Sequence, residues 1–530
     1  MDSICLIMSG AIVGQELAAE FGPLPPSMLP VGMKRLYELQ LAELGAARPV
    51  HMVLPETYRL SDLDRDRLNG LGVEVVTIPE GLRLGEAVVY ALNYVGKADL
   101  PVRILHGDTL ISDLPDAAGD LIVGGAHSSE YAWAEINLQG ERIVSLETVP
   151  AGVEGRGRPI AAGYFVFSSG LDLVRSLTRL RGDFIEGVNH YLSDHPAGMA
   201  PTSRWLDFGH VQTFYQSRLA VSTARAFNAV RLDGLTASKS SFDAEKMRAE
   251  FEWLRCAPPD LQPYCARVID AGEAEGMAFY KTEYEYLPLL SELFVYGAIG
   301  RAPWMRILAS CETFLGLCAQ HQGWQPAAAA LERLAGSKTL NRLEAFARAT
   351  GFDVDRGLSL EGRPCPSLRR VAETLVAALG DDDGRPACVM HGDFCFSNIL
   401  YSPRLRRIKV IDPRGSTGGG PSLYGDGRYD LAKLAHSVVG RYDQIIAGRY
   451  AARVDGGDYA IAFEPLPHQV WLEAALAEMR IDGRAGDDGV VRAVCAGLFL
   501  SMLPLHADRP DRQSAFIANA LRLFRDLDGD

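Results

Sequence analysis

The chain has 530 residues, more than one hydrophobic core usually serves, which predicts two or three domains. Its hydrophobic content of 48% and charged content of 23% are ordinary for a globular protein. A net charge of −14 without a long basic run argues against nucleic acid and anionic membrane surfaces as partners.

Strands and helices alternate through the first 222 residues. The predicted strands are "SICLIMS", "PVHMVLP", "VEVVTIP", "VRILHGD" and "LIVGGA", and the predicted helices are "KRLYELQLAELGA", "LSDLDRDRLNGLG" and "LGEAVVYALNYVG". Alternation at this spacing is typical of an α/β fold with a mainly parallel sheet and helices on both faces. Ligands of such folds bind at the carboxyl ends of the strands.

Two aspartates are candidate metal ligands in this part of the chain. Asp108 ends the strand "VRILHGD", and Asp207 lies in "RWLDFGHVQTFYQ". Carboxylate oxygens are ligands that Mg²⁺ prefers, and two of them from distant points of the chain can hold one Mg²⁺ on a nucleoside triphosphate. The pattern therefore predicts a nucleotide site.

Ordered motifs in residues 1–222 resemble the sugar-phosphate nucleotidyltransferase family. They are "SMLPVGMKRLYELQ", "LGEAVVYAL", "HGDTLISD", "AAGYFVF" and "WLDFGH". The resemblance implies a Rossmann-like fold and attack of a sugar phosphate or alcohol phosphate on the α-phosphorus of a nucleoside triphosphate. It also implies that Asp108 and Asp207 hold the metal. The residues that it assigns to the nucleotide are Ser9, Gly10 and Gly85.

The opening loop departs from the family pattern. "MSGAIVGQEL" lacks the arginine that holds the triphosphate, and Ser27 follows Pro26 where the family has lysine. Lost cations weaken stabilisation of the leaving pyrophosphate. Lys34 and Arg35 are candidate substitutes, and a catalytically degenerate domain is the alternative interpretation.

The second domain is predicted to begin after "QSRLAVSTARA" (216–226), which has a helical pattern. The predicted domains are 1–222 and 223–530, and the second is divided into lobes of about 223–287 and 288–530. "FNAVRLDGLTASKS" (227–240) predicts a hairpin around Asp233-Gly234, with Lys239 near the end of its second strand.

A helix, "DAEKMRAEFEWLR", follows this hairpin. In kinases a strand lysine contacts the α- and β-phosphates and is held by a glutamate of the next helix. Glu250 is the predicted partner of Lys239, with Glu245 and Glu252 as alternatives. Equally, Lys239 could be an ordinary exposed lysine.

The stretch "HGDFCFSNIL" (391–400) and the later "IDPRG" carry the clearest catalytic pattern. Phosphoryl transfer needs one group that orients the attacking hydroxyl and two that hold Mg²⁺ against the phosphates. Asp393 suits the first role, and Asn398 and Asp412 offer the hard oxygens for the second. "ILYSPRLRRIKVID" predicts a hairpin that returns Asp412 to Asn398.

The ordered set HGDxxxxN followed by a strand ending in aspartate resembles the aminoglycoside phosphotransferase and choline kinase family. The resemblance implies an α+β protein-kinase-like fold, with Asp393 as catalytic base and Asn398 and Asp412 as Mg²⁺ ligands. It implies an orienting role for His391, and Asp430 either braces the loop or caps its own helix. The adenine contacts fall in "FYKTEYEYLPLLSELFVYG" (279–297), at Tyr284, Glu285, Tyr286 and Leu287.

Nine cysteines without a CxxC pair predict a reducing compartment. The N-terminus lacks the basic region of a signal peptide, and the apolar run "AVCAGLFLSMLPL" is too short to span a bilayer. These features predict a soluble cytoplasmic protein.

Both halves together predict a bifunctional enzyme that phosphorylates a small hydroxyl compound with ATP and then joins the product to a nucleotide, CTP being favoured. "MHGDFCFSNILY" with "IKVIDPRG" resembles proteins of capsule or surface polysaccharide biosynthesis. One alternative is a kinase whose degenerate first domain binds only a nucleotide or a partner. Others are a sugar anomeric kinase coupled to UTP- or dTTP-dependent transfer, and a non-enzymatic binding protein. The acceptor and the oligomeric state stay open.

Overall fold

The computed structural model describes residues 3–45, 49–112, 114–115, 119–126, 131–152, 157–221, 229–232, 234–380, 384–418 and 420–528. The chain divides into two compact units, Met1–Ser222 with Tyr296–Ala298 and Thr223–Val295 with Ile299–Asp530. The predicted boundary at 222/223 and the end of the predicted helix 216–226 lie outside the described residues, so the boundary stays a prediction.

The first unit contains both strands and helices. Its strands are β1 (Ile4–Met8), β2 (Val50–Pro55), β3 (Val73–Ile78), β4 (Val102–His106), β5 (Thr109–Ile111), β6 (Leu121–Gly125), β7 (Trp133–Gln139), β8 (Arg142–Val149), β9 (Ile160–Phe167), β10 (Gly198–Pro201) and β11 (Trp205–Asp207). Its helices are α1 (Gln15–Phe21), α2 (Leu36–Leu44), α3 (Asp62–Gly70), α4 (Leu84–Val95), α5 (Gly170–Arg179), α6 (Phe184–Asp194) and α7 (Val211–Val221), with a 3₁₀ turn at Pro26–Met28. Every predicted strand and helix of this part is confirmed.

The main sheet of the first unit has the order β3-β2-β1-β4-β9-β6-β10-β8-β7. The four strands β3, β2, β1 and β4 are parallel, whereas β9 is antiparallel to both β4 and β6. The expectation of a mainly parallel sheet is correct for these four strands and for β6 with β10, which also pair in parallel, while the other neighbouring pairs are antiparallel. The later strands include the hairpin β7–β8, which needs no helical crossover and pairs antiparallel.

The core of the first unit lies between this sheet and helices α4, α5 and α6. Val88, Leu173 and Val188 represent the three helices, and Phe165 and Phe167 come from β9. All five are buried. Burial of each such side chain stabilises the fold by about 1.5–3 kcal/mol, and the resulting rigid sheet positions the turn that follows β4.

The second unit begins with a small sheet and continues into a mainly helical lobe. Its strands are β12 (Ala229–Leu232), β13 (Thr236–Ser241), β14 (Val268–Ala274), β15 (Met277–Glu283), β16 (Gln322–Pro326), β17 (Leu358–Leu360), β18 (Arg363–Cys365), β19 (Pro386–Val389), β20 (Ile399–Ser402), β21 (Arg407–Val410), β22 (Tyr424–Gly425), β23 (Tyr450–Asp455), β24 (Asp458–Phe463), β25 (Arg480–Ile481) and β26 (Arg484–Ala485). Its helices are α8 (Ala244–Cys256), α9 (Leu290–Tyr296), α10 (Arg301–Gln320), α11 (Ala327–Leu331), α12 (Lys338–Thr350), α13 (Leu368–Ala377), α14 (Gly427–Val438), α15 (Tyr442–Ile446), α16 (Gln469–Glu478), α17 (Gly489–Met502) and α18 (Pro510–Asp528). Shorter helical segments are Gln262–Tyr264, Phe396–Asn398, Leu503–His506 and the π-helical Glu332–Ser337.

The small sheet is antiparallel, with the order β12-β13-β15-β14, and α8 packs against β13, β14 and β15. The predicted hairpin is present as β12–β13, with Val230 paired to Lys239, although Asp233 of its turn lies outside the described residues. In the helical lobe, α10 buries the apolar side chains that its sequence spacing predicted. They are Trp304, Ile307, Leu308, Cys311, Phe314, Leu315 and Cys318.

The described residues contain one helical stretch long and apolar enough to cross a membrane, Gly489–His506, with a mean hydropathy of 1.5. The predicted apolar run "AVCAGLFLSMLPL" lies inside this stretch. The stretch is longer than the run because it includes flanking helical residues. Because 61% of it is buried and α17 packs against α14 and α18, its apolar character is that of a core helix. All nine cysteines are free.

Candidate active sites

A buried ion pair joins the small sheet to the helix behind it. The ammonium of Lys239 on β13 lies 2.7 Å from Glu250 Oε2 on α8 and 3.2 Å from Asp412 Oδ1. Tyr280, paired with Lys239 across β13 and β15, donates its hydroxyl to Glu250 Oε2 at 2.9 Å. The structure thus brings Lys239 together with Glu250, whereas the alternative Glu245 is exposed.

Burial and the neighbouring charges act in opposite directions on the pKa values of Lys239 and Glu250. Burial lowers the pKa of Lys239, but Asp412 and Glu250 outweigh it and raise that pKa overall. Burial also raises the pKa of Glu250, against the influence of Lys239. A lysine held charged beside a carboxylate that can bind metal is suited to contact phosphate.

We expect Glu250→Ala to lower the free energy of unfolding by about 3 kcal/mol, because it removes one partner of a buried ion pair. Glu245→Ala on the same helix is the matched control and should change the free energy of unfolding by no more than about 0.5 kcal/mol. Chemical denaturation followed by tryptophan fluorescence compares the two variants. Equal effects would show that Glu250 has no special role.

The predicted hairpin after the HGD motif is confirmed as β20–β21, in which Ile399 pairs with Val410. The N–H of Ile411 donates to the carbonyl of Asn398 at 3.0 Å, which returns the following Asp412 to the loop. Asp412 has φ +55°, a left-handed conformation that is uncommon for any residue but glycine. Such backbone strain persists where the surrounding structure holds it, often at functional sites.

Asp393 lies at the centre of the loop and is open to the cleft. Its carboxylate accepts from the Asn398 amide nitrogen at 2.9 Å and pairs with the ammonium of Lys433 at 2.8 Å. The side chain is 35% exposed, and that of Asp412 is 30% exposed. Both carboxylates are therefore accessible to a ligand while their orientation is held by neighbours.

The loop is braced from two sides. His391 is fully buried; its Nδ1 accepts from the N–H of Asp393 at 3.3 Å and its Nε2 donates to the carbonyl of Ile411 at 3.1 Å. Burial lowers the pKa of His391 to about 4, so the ring is neutral. Asp430 accepts from the N–H groups of His391 and Gly392 at 2.6 and 2.7 Å. Because Asp426 caps α14, Asp430 has the bracing role.

Two basic residues near Asp393 were not singled out from the sequence. Burial raises the pKa of Asp393, but Lys433 and Arg414 outweigh it and hold that pKa well below its usual range. Lys433 lies in α14, a helix in which every side chain from Arg428 to Val438 is buried. In the sequence, its position among the apolar residues of this stretch could have identified it. A lysine inside such a helix needs a carboxylate partner.

We expect Lys433→Met to raise the pKa of Asp393, because the nearest cation is removed while burial remains. The wild-type profile of kcat/KM should show no loss from Asp393 between pH 5 and 8, where it stays ionised. The variant should show an additional loss on the acidic side. Lys433→Arg, which keeps the charge, is the control. A pH profile of Lys433→Met that matches wild type would contradict this assignment.

The predicted adenine contacts lie between β15 and α9. The N–H of Tyr284 already donates to the carbonyl of Leu235 at 2.9 Å, and that of Leu287 to the carbonyl of Glu285 at 2.8 Å. Glu285 pairs with Lys409 at 2.9 Å, and the hydroxyl of Tyr286 donates to the carbonyl of Gly234. The segment is thus held in place, and its contact with a nucleotide stays a prediction.

Asp108 and Asp207 are brought together in the first unit. β11 pairs antiparallel with β5, so that Asp207 lies opposite Thr109, and the N–H of Phe208 donates to the carbonyl of Asp108 at 2.8 Å. A Cβ added at Gly209 would lie 2.6 Å from Asp108 Oδ2 and 3.3 Å from Asp207 Oδ1. The two carboxylates therefore flank one small space.

Gln40 on helix α2 holds the turn that carries Asp108 in position. Gln40 donates its amide to the carbonyls of His106, Gly107 and Thr109 at 3.2, 3.0 and 2.9 Å. Burial and the nearby Asp207 raise the pKa of Asp108. A carboxylate whose ionised form is disfavoured by a neighbouring carboxylate is suited to share a cation with it.

The predicted nucleotide contacts of this unit have structural partners of their own. The N–H of Ser9 donates to the carbonyl of Val53 at 3.1 Å, and its hydroxyl accepts from the N–H of Ser27 at 3.0 Å. A Cβ at Gly10 would clash with Ile78. A Cβ at Gly85 would lie 2.5 Å from the carbonyl oxygen of Gly182. The close approach of backbone explains Gly85 by packing, whereas the Ile78 side chain beside Gly10 can shift, and a nucleotide role of either glycine stays a prediction.

The structure does not give Arg35 the role of the missing triphosphate cation. Its Nε donates to Asp64 Oδ2 at 2.9 Å and its Nη1 to the carbonyl of Met28 at 2.8 Å. Ser27 is fully buried and donates to the carbonyl of Gly107 at 3.0 Å. Lys34 is exposed and remains the candidate of the predicted pair.

Within the described ranges, no group of three or more His, Cys, Asp or Glu is arranged to hold a metal ion. Each site instead offers two oxygen-bearing side chains, Asp108 with Asp207 and Asn398 with Asp412. Mg²⁺ is commonly held by one or two carboxylates together with substrate phosphates, so both sets suit it. The recorded bonds of the Asn398 side chain use its nitrogen, which leaves its oxygen for a metal.

No protein-family model and no curated protein matches the chain. Among solved structures, HddC from Yersinia pseudotuberculosis is 18% identical and covers 42% of this chain and 100% of its own, with a TM-score of 0.31. UTP-bound UGPase from Acinetobacter baumannii is 14% identical and covers 42% of this chain and 93% of its own, with a TM-score of 0.31. A thermostable mutant of aminoglycoside phosphotransferase APH(4)-Ia is 13% identical and covers 58% of this chain and 94% of its own, with a TM-score of 0.37.

The nucleotidyltransferase structures match the N-terminal part, and the aminoglycoside phosphotransferase matches the larger C-terminal part. Both kinds of protein that the sequence motifs resemble are thus among the solved structures to which the chain is similar.

Proposed function

We propose that the kinase-like region, residues 223–530, phosphorylates a small hydroxyl compound with ATP. The observation that carries this proposal is the cleft in which Asp393, Asn398 and Asp412 converge, with Lys239 paired to Glu250 beside Asp412. A base, two metal ligands and a phosphate-binding lysine are the parts that phosphoryl transfer requires.

The acceptor hydroxyl donates to the carboxylate of Asp393 and its oxygen attacks the γ-phosphorus. The new O–P bond forms as the bond from the γ-phosphorus to the β,γ-bridging oxygen breaks, ADP leaves, and the hydroxyl proton passes to Asp393 and then to solvent. Lys433 and Asn398 hold the carboxylate in position, while Lys239 binds the α- and β-phosphates. Mg²⁺, held by Asn398 and Asp412, supplies neutralisation of phosphate charge when bound.

A carboxylate with a depressed pKa is a weak base, so Asp393 acts chiefly by orienting the hydroxyl. This suffices in a loose transition state, in which the attacking oxygen is still largely protonated when the phosphoryl group departs. The exposed fraction of Asp393, 35%, leaves lone pairs for the hydroxyl beside the bonds to Asn398 and Lys433.

For the nucleotidyltransferase-like region, residues 1–222, we propose nucleotidyl transfer to the kinase product. The product's phosphate oxygen attacks the α-phosphorus of the nucleoside triphosphate, and pyrophosphate leaves. Asp108 and Asp207 flank one small space, and two such carboxylates suit Mg²⁺. This arrangement supports the proposed role. We favour CTP for an alcohol phosphate, with UTP or dTTP for a sugar 1-phosphate, and a product used in surface polysaccharide synthesis.

A degenerate first domain is the second candidate, and one observation favours it. Ser27 and Arg35 are both engaged in buried internal bonds, so neither replaces the cations that the family uses on the triphosphate. In that case the region binds a nucleotide or a partner without turnover, and the chain is a kinase alone.

The deciding experiment incubates the purified full chain with Mg-ATP and a panel of amino alcohols, polyols, sugars and hydroxy acids, and measures ADP. Phosphorylated products are then supplied with CTP, UTP, ATP, GTP or dTTP, and pyrophosphate is measured. ADP with pyrophosphate supports the bifunctional proposal, whereas ADP without pyrophosphate supports the degenerate alternative. An absence of acceptor-dependent ADP, together with no binding of Mg-ATP, would remove the kinase proposal.

A further inference from the structure

Four basic side chains form a cluster beside the proposed catalytic base. The cationic cluster consists of Lys338 and Arg342 on α12, Arg414 in the loop after Asp412, and Lys433 on α14. Lys433 lies 2.8 Å from Asp393 Oδ1, and Arg414 Nε donates to the carbonyl of Gly392 at 3.0 Å. Lys338 and Arg342 are four residues apart on one helix and so lie on the same face.

The cluster has more positive than negative charge. Lys433 pairs with Asp393, while Arg342 donates only to a neutral group, the carbonyl of Ser501, at 3.1 Å. For Lys338 the described part of the chain records neither an ion pair nor a hydrogen bond, although its side chain is partly buried. Cations withdrawn from water without partners cost stability, and such a surplus is expected where a ligand brings the missing negative charge.

The electrostatic environment of Lys338 supports the same view. Burial, together with Arg414, Arg342 and Lys433, lowers the pKa of Lys338 to about 6, and Asp393 offsets only part of this shift. An anion bound beside the ammonium would favour its charged form again. This surplus is notable in a chain whose net charge is −14, because overall composition does not account for it.

The cluster is distinct from the group that suits ATP. Lys239 pairs with Glu250 and Asp412, the predicted metal ligand. In the cluster, Lys433 pairs with Asp393, Arg414 bonds the carbonyl of the preceding Gly392, and Lys338 interacts electrostatically with Asp393, which must meet the acceptor hydroxyl in the proposed reaction. A ligand held by Lys338 and Arg342 is therefore the acceptor, rather than the triphosphate.

The backbone before α12 supports a binding role for its first residue. The six residues Glu332–Ser337 form a π-helical segment that directly precedes Lys338, the first residue of α12. Such segments occur often at functional sites. Arg333 in this segment donates from Nε to the carbonyl of Thr417 at 3.0 Å, which ties it to the loop that carries Arg414.

Resting on the proposed kinase function, we propose that the acceptor is a hydroxyl compound carrying a phosphate, phosphonate or carboxylate group, which the cationic cluster holds while its hydroxyl meets Asp393. Arginine and lysine both recognise these anions, and arginine can do so through two parallel hydrogen bonds. The same cluster repels cationic acceptors such as amino alcohols that lack an acidic group.

The first experiment compares matched acceptors for ADP formation: glycerol with glycerol 3-phosphate and with glycerate, glucose with glucose 6-phosphate, and ethanolamine with serine. We expect the acceptors that carry an anionic group to be phosphorylated. Comparison of the phosphate-bearing with the carboxylate-bearing acceptors identifies which anion is used. Turnover confined to neutral or cationic members overturns the anionic acceptor while the kinase proposal stands.

Substitutions of Lys338 and Arg342 then test whether these side chains bind the anionic group of the acceptor. Lys338→Met and Arg342→Gln should each raise KM for the anionic acceptor roughly 10- to 100-fold, the loss expected for a charged hydrogen bond, and leave KM for ATP within about threefold. Arg348→Gln, exposed on the same helix, is the matched control and should change neither constant. Equal effects of Arg342→Gln and Arg348→Gln would contradict the proposal.

A direct binding measurement decides the case in which no acceptor of the panel reacts. With Mg-AMP-PNP saturating the ATP site, inorganic phosphate or acetate should raise the Tm of the wild-type chain but not that of Lys338→Met. Without anion, Lys338→Met should melt no lower than wild type, because it removes an amine whose charged form burial and the neighbouring cations disfavour. No stabilisation of wild type by either anion overturns the inference, and failure to bind Mg-AMP-PNP would instead count against the kinase function.

Discussion

Asp393→Asn should reduce acceptor phosphorylation by about 10²- to 10⁴-fold, the usual contribution of a positioned group that orients the attacking hydroxyl and accepts its proton. The affinity for Mg-ATP should stay within about threefold of wild type, because Lys239, Asn398 and Asp412 carry the nucleotide and its metal. The substitution keeps the size of the side chain and can still bond Asn398, so the loop should retain its shape. ADP formation and Mg-ATP titration measure the two constants.

Asp455→Asn is the control for this substitution. Asp455 is 83% exposed at the end of β23, away from the HGD loop in sequence, and its variant should keep kcat within about twofold of wild type. Turnover of Asp393→Asn within about tenfold of wild type would contradict the assignment of Asp393 as base. A parallel loss of Mg-ATP binding would instead indicate that the substitution disturbs the metal ligands.

Asp108→Ala and Asp207→Ala should each reduce pyrophosphate release at least about a hundredfold, because each removes one of two carboxylates available to Mg²⁺. ATP-dependent phosphorylation of the free acceptor should stay within about twofold, since the kinase-like region has its own ligands in Asn398 and Asp412. Separate assays of pyrophosphate and ADP on the same preparations measure both reactions.

Asp62→Ala, an exposed carboxylate on α3, is the control in the same unit and should leave both reactions unchanged. Asp207 also accepts from the N–H of Gly209 at 3.2 Å, so circular dichroism must show that its variant is folded. Loss of the kinase step in a folded Asp108→Ala chain would mean that the two reactions share one site. Pyrophosphate release by Asp108→Ala at the wild-type rate would contradict the metal role.

The sequence alone determined the local elements and named the candidate reactive residues. Alternation of apolar strands with amphipathic helices was enough to predict β1 to β4 and α2 to α4, because burial on one face imposes a period on the chain. The segment from the HGD motif to Asp412 is also short enough for its sequence to predict how it folds. A two-strand hairpin has a fixed register, so Asp412 had to return to Asn398.

Tertiary structure decided which residues meet across long stretches of sequence. Lys433 reaches Asp393 from α14, Asp430 braces the loop from the same helix, and Lys338 joins them from α12. Sequence spacing carries no information about such contacts, because helices that are distant in the chain approach only when their apolar faces pack. The sequence could thus nominate Asp393 as a candidate base, but it could not predict the charges beside it.

Packing also decided the roles of several residues in the first unit. Arg35 has the charge to bind a triphosphate, yet Asp64 and the carbonyl of Met28 engage it inside the fold. Ser27 stands at a family lysine position and is buried against Ser9. A side chain's chemistry is set by its type, which the sequence states. Its availability is set by burial and by the partners that satisfy it, which only the folded chain determines.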